Sequence, residues 1–199
     1  MNASFIAVPP GKLASIVTHL EMRRRQAANS PGRGDLLLEH VQKPGLDWYR
    51  ALFRAVGEDW LWFVRLSLAD AALAAIIHDH RVEVHVLKDK QGEIGLLELE
   101  FEHEKKGHCQ LSYFGLVPRA IGSGAGRWLM DRAIERVWDG QREISCFSVH
   151  TCTLDHPSAL SFYQQSGFVA VRREIEIADD PRLDGRLPRG AAKQIPVIR

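Results

Sequence analysis

With 199 residues the chain can bury one sizeable core, and its 26 basic and 25 acidic side chains leave no whole-molecule field to draw it to nucleic acid or anionic lipid. No stretch reaches the roughly 20 apolar residues of a membrane span, and the start MNASFIAVPPGK lacks the basic-then-apolar order of a leader. Three cysteines, Cys109, Cys146 and Cys152, are few and odd in number, so the expectation is a cytoplasmic protein with free, packed thiols and no nucleic-acid or membrane partner.

In chain order, SIVTHLEM (15–22) and LLLEHV (36–41) read as strands, separated by the turn-rich loop QAANSPGRGD (26–35). Trp48, Leu52, Phe53 and Val56 then recur at helical spacing, with Asp47 as a candidate cap, and DAALAAIIHDH (70–80) predicts a second short helix. Residues 82–117 read as a three-strand meander with charged, glycine-containing turns at 88–92 and 104–107. From about Gly124 to Trp138, Leu129, Met130, Ala133, Ile134, Val137 and Trp138 form one apolar helix face opposite Arg127, Asp131, Arg132 and Glu135. A strand EISCFSVHTC, a helix HPSALSFYQQSG with Pro157 at its first position and Gly167 past its end, and a strand FVAVRREIEI follow. This order predicts an α/β fold, a mixed sheet with helices on its faces, forming one domain over 1–178; the Pro-, Gly- and Arg-rich 179–199 is expected to be a surface tail.

The chemistry begins at GSGAG, Gly122 to Gly126, between a strand ending at Leu116-Val117-Pro118 and an amphipathic helix. Glycines let backbone N–H groups turn outward, and a helix N-terminus adds partial positive charge, so the loop suits a phosphate. It is neither a P-loop, which needs Lys and then Ser or Thr where Arg127-Trp128 stand, nor the dinucleotide G-x-G-x-x-G, which needs glycine at 127. On its own it is equally a turn chosen for tight packing.

Together with DHPSALSFYQQSGF about 40 residues on, the loop resembles the GNAT superfamily of N-acetyltransferases. The family's Q/R-x-x-G-x-G/A pattern falls on Ile121, Gly122, Ser123, Gly124, Ala125 and Gly126, with Ile121 in place of Gln or Arg. The second motif falls on Ala159, Phe162-Tyr163 and Gly167-Phe168, with His156 where Asn is frequent. The resemblance spans Val82 to Ile177; the first 80 residues agree only in element order. It implies a mostly antiparallel sheet with a splayed parallel strand pair, and acetyl-CoA as co-substrate. Its pyrophosphate would lie on 121–127 including Arg127, its acyl chain along Leu116 and Val117, and its sulfur would receive a proton from Tyr163. The implied reaction is direct acetyl transfer to a primary amine, of a small molecule or a protein, in a ternary complex. A homodimer stays open.

The base is less plainly written. Where several family members carry Glu upstream of the loop, this chain has Gln110. Glu98, Glu100 and Glu102 alternate with Leu97, Leu99 and Phe101, which puts three carboxylates on one strand face. They read either as a solvated face or as an acidic acceptor cleft in which Glu98 or Glu100 takes the amine proton; a water chain is the third route. Trp48, Trp60 and Trp62 read as packing or as a wall of the acceptor site, and His150 as a cleft-lining residue. His150, Cys152 and His156, like His78-Asp79-His80, lack metal-site spacing, so no metal is expected. Ile121 and Gln110, both off the family pattern, also suit a non-catalytic acyl-CoA sensor on the same fold, and the loop alone suits a nucleotide-binding domain.

Overall fold

A computed structural model of the chain describes residues 5–27, 30 and 32–198. Seven strands, β1 (Lys12–Met22), β2 (Leu37–His40), β3 (Val82–Asp89), β4 (Gly92–Phe101), β5 (His108–Leu116), β6 (Cys146–Cys152) and β7 (Val169–Asp179), form one sheet in the order β2-β3-β4-β5-β6-β1-β7. All neighbours are antiparallel except β5 and β6. Four helices, α1 (Leu46–Gly57), α2 (Asp70–Ile77), α3 (Ala125–Trp138) and α4 (Ala159–Gln165), connect them. The predicted elements are therefore present, and the mixed sheet is the one expected. One placement is not local: β1 lies between β6 and β7 rather than beside β2.

Strand alternation sorts the core into two layers. Leu97, Leu99 and Phe101 of β4, Phe147 and Val149 of β6, and Leu20 and Met22 of β1 join the buried face of α3 and Tyr163 of α4. On the opposite face, Val84, Val86 and Leu96 pack against Tyr49, Leu52, Phe53 and Val56 of α1 and Leu73 and Ile77 of α2. Each such side chain contributes about 1.5–3 kcal/mol on burial. Gly45, not Asp47, precedes the first turn of α1, and Asp47 lies in that turn, where a carboxylate still complements the helix dipole. The last residue of α1, Gly57, has no room for a side chain, because a Cβ there would meet the Trp62 ring at 2.4 Å.

Residues 180–198 depart from the expected surface tail. Leu187, Ala191 and Ala192 are buried against Leu13 and Leu61, with Phe63 and Leu66 beside them. The fully buried Arg182 organises the segment: it donates to both Asp180 oxygens at 2.9 and 2.7 Å and to the carbonyl of Ile195 at 2.8 Å. One arginine thus satisfies backbone carbonyls that no regular element would pair, which lets an aperiodic segment enter the core. Among the described residues no helix is long and apolar enough to cross a membrane.

Candidate active site

The site begins where β5 and β6 part. Their parallel pairing runs from His108↔Cys146 to Leu111↔Val149 and stops there. On the other side of β5 the pairing with β4 slips between Glu98↔Tyr113 and Leu99↔Leu111, leaving Ser112 as an extra residue. Such a bulge bends and twists its strand. From Ser112 to Leu116 the side of β5 facing β6 lines a cleft of about 860 Å³. Residues from both faces of the sheet line the cleft at this gap. Gly122, Gly124, Gly126, Arg127, Phe162 and Tyr163 line one end, and Trp60 to Val64, His19, His150, Glu174 and Glu176 line the other.

The glycine loop lies at the first end. Gly122 and Gly124 have φ of +81° and +83°, and Gly124 caps α3 in the left-handed conformation that side chains resist. The N–H groups of Gly122, Gly124, Gly126 and Arg127 donate to no described residue, so four donors stand at a helix mouth. Ser123 braces the loop: its hydroxyl donates to the Ala120 carbonyl at 2.7 Å and accepts from the Ala125 N–H at 3.3 Å. Arg33, which sequence reasoning missed, donates to the Ser123 carbonyl at 3.1 Å while also holding both Asp35 oxygens at 2.8 and 2.7 Å, so it braces the loop as part of an ion pair. It is 90 residues away in sequence, and no local signal marks it. Leu116 and the exposed Ile121 line the cleft, whereas Val117, Ser123 and Ala125 do not.

Tyr163 is buried among the rings of Phe114, Phe162 and Phe168 at 5.7–6.3 Å, yet it lines the cleft. Burial, with Asp155 second, pushes its pKa well above the ordinary tyrosine value, so it stays a proton donor at neutral pH. His156 lines the cleft as well, and its Nδ1 accepts the Ser158 N–H at 3.1 Å just ahead of α4. Asp155 shapes the same turn by accepting from the Thr151 hydroxyl at 2.7 Å and the Cys152 N–H at 2.8 Å.

The three glutamates separate. Glu98 is fully buried beneath α1, accepting a short hydrogen bond from the Tyr49 hydroxyl and a 2.6 Å bond from Arg65. Glu100 pairs with His103 at 3.2 Å, and Glu102 lies past the strand end with φ of +57°. None of them lines the cleft. The sequence showed the alternation but not that α1 and the Arg65 turn cover this part of the face. Trp48 donates to Glu93 at 2.8 Å away from the cleft, while Trp60 and Trp62 form its wall, Trp62 packed on Tyr113 at 5.2 Å.

At the far end, antiparallel pairing sets His19 of β1 directly opposite His150 of β6, ring centroids 5.8 Å apart. Beyond them on β7, Glu174 lies 3.6 Å from His19 and pairs closely with Arg172, and Glu176 accepts from Ser15 at 3.3 Å. Sequence alone could not bring β1 and β7 here. Elsewhere, His40, Glu83 and His85 cluster with ligand-type atoms within 4.8 Å, but Arg136 already holds both Glu83 oxygens at 2.7 Å and would repel a cation.

Comparison with known proteins agrees with this geometry. Residues 46–168 match the family model described as Acetyltransferase (GNAT) family. A GCN5-related N-acetyltransferase from Sphaerobacter thermophilus superposes with a TM-score of 0.60 at 15% identity, covering 86% of this chain and 53% of that one. An aminoglycoside acetyltransferase from an uncultured soil metagenomic sample, crystallised with trehalose, gives 0.54 at 18% identity, covering 67% and 88%. A spermidine N-acetyltransferase chimera from Vibrio cholerae and hSSAT gives 0.54 at 20% identity, covering 68% and 81%. The chain spans 63% of a functionally unknown conserved protein from Staphylococcus epidermidis that it also resembles, at 12% identity and a TM-score of 0.54. No curated protein matches the chain. With a match over more than half its length, a splayed parallel strand pair and a glycine loop at a helix mouth beside it, the chain belongs to the GNAT acetyltransferase family.

Proposed function

We propose that the protein transfers the acetyl group of acetyl-CoA to a primary amine in a ternary complex. The observation that carries this reading is the set of four N–H groups, of Gly122, Gly124, Gly126 and Arg127, that have no partner among the described residues and stand at the end of a cleft that begins at the strand splay. Such donors fit the diphosphate of CoA, and the unpaired side of β5 from Ser112 to Leu116 fits the amide groups of pantetheine. The thioester then lies along Leu116 towards the gap, within the cleft that Tyr163 also lines. The amine attacks the carbonyl carbon, the C–S bond breaks, and Tyr163 protonates the departing sulfur.

The acceptor enters from the other end. Aromatic and aliphatic walls from Trp60 to Val64, with Glu174 and Glu176 exposed at the margin, suit an amine carrying further positive charge. Small polyamines and aminosugars are therefore ranked ahead of a protein lysine or N-terminus. Glu98, held by Arg65 and Tyr49, fixes α1 and the Arg65 turn to the sheet and so shapes the cleft without entering it.

The test is release of free CoA thiol from acetyl-CoA with a panel of polyamines, aminoglycosides and lysine peptides. The expected result is turnover above hydrolysis with at least one polycationic small molecule. Tight acetyl-CoA binding with no thiol release from any amine would instead establish an acyl-CoA sensor.

A further inference from the structure

The titratable side chains of the cleft are not equivalent in what already occupies them. Asp155 is taken by Thr151 and the Cys152 N–H, His156 by Ser158, Glu174 by Arg172 and Glu176 by Ser15, while burial pushes the Cys152 thiol pKa up. Tyr113 lines the cleft, but burial pushes its pKa up to about 12, which makes it no base at neutral pH. His150 differs, because its ring nitrogens make no hydrogen bond to the described residues and the ring is open to the cleft.

Its place in the sheet follows from pairing. Val149 is the last residue of β6 paired with β5, so His150 is the first beyond the splay. Alternation turns Val149 into the core with Tyr163 and turns His150 to the opposite face. A thioester threaded through the gap thus passes between the tyrosine's layer and the imidazole's layer.

We propose that His150 is the general base of the transfer, its free imidazole nitrogen taking the proton from the acceptor amine. This rests on the acetyl-transfer reading above. As the amine nitrogen bonds to the carbonyl carbon, it sheds a proton to His150; the C–S bond breaks, and the sulfur takes its proton from Tyr163. The products are the N-acetyl amide and CoA thiol, and exchange with water returns the imidazolium and tyrosinate to their starting forms.

The surroundings keep the imidazole in its accepting form. Crowding by the protein around it, and then His19, lower its pKa from 6.5, while Asp155 in the following turn and Glu176 on β7 act to raise it and His103 adds to the lowering. His19 is a positioning residue: it faces His150 across the β1–β6 pair and opposes a second positive charge there.

Steady-state kinetics over pH 5–9 with the best amine from the thiol-release panel, beside calorimetry with acetyl-CoA, test this. His150→Gln should lower kcat by roughly 100-fold and abolish the acid limb of the profile, with acetyl-CoA binding unchanged. The wild-type limb should fall below pH 6.5, and His19→Asn, which removes one cause of the lowered pKa, should move it upward. In His150→Ala, added imidazole should restore part of the rate, a rescue that a merely structural loss would not permit. Retention of wild-type kcat and of the acid limb in His150→Gln, or absence of rescue in a folded His150→Ala, would overturn the assignment. A wild-type chain that acetylates no amine would overturn the acetyl-transfer reading itself, whatever the variants do.

Discussion

One face of the sheet carries two regions with opposite fates. Over β3 and β4 it is closed by α1 and α2, and the polar residue caught there, Glu98, is fully buried and held by Tyr49 and Arg65. Over β6, β1 and β7 the same face borders the cleft, and its polar residues, His19, His150, Glu174 and Glu176, line it. Alternation sets ionisable groups on both halves. What distinguishes them is the cover: under a helix a carboxylate must be fully satisfied and becomes a brace, whereas beside a cleft an imidazole can keep a nitrogen free for substrate.

Breaking each half in turn should give different signatures. The largest effect is expected in the covered half: Glu98→Ala leaves the Arg65 guanidinium without its partner and should destabilise the fold by about 3–5 kcal/mol, read by denaturant unfolding, with the loss of activity following the loss of folded protein. Next, at the heart of the cleft, Tyr163→Phe should lower kcat about 100-fold while acetyl-CoA affinity and unfolding midpoint stay close to wild type. An equal fall in both kinetic and binding constants would remove the general-acid role. Gly124→Ala forces a side chain into φ of +83°, at a cost of about 1–2 kcal/mol; with the loop distorted, acetyl-CoA binding should weaken roughly tenfold by calorimetry. The smallest effect belongs to the uncovered margin: Glu174→Gln with Glu176→Gln should raise KM for a polycationic amine about twofold to fivefold at low salt, and added salt should erase the difference.

What could be read from sequence was what the chain encodes locally. GSGAG before an amphipathic helix, and Ala159, Tyr163 and Gly167 at fixed offsets, are signals contained within short continuous segments, and they led to the loop, α3 and α4. The meander of β3, β4 and β5 was legible for the same reason. The rest depended on distant pieces of chain. That β1 inserts between β6 and β7 decides that His19 faces His150, and nothing in residues 12–22 announces their partners. Glu98 and His150 each look like one polar residue in an alternating strand; only the position of α1 makes one a brace and leaves the other open. Arg33 reaches Ser123 from a loop with no periodicity, and Arg182 draws an apparent tail into the core through carbonyl contacts that composition cannot reveal.

Calorimetric titration of the purified chain with acetyl-CoA tests the reading on which the site rests. The account predicts one-to-one binding with Kd on the order of micromolar, weakened by Gly124→Ala and unaffected by Glu174→Gln. Absence of heat and of any thermal protection by acetyl-CoA in the wild-type chain would contradict it.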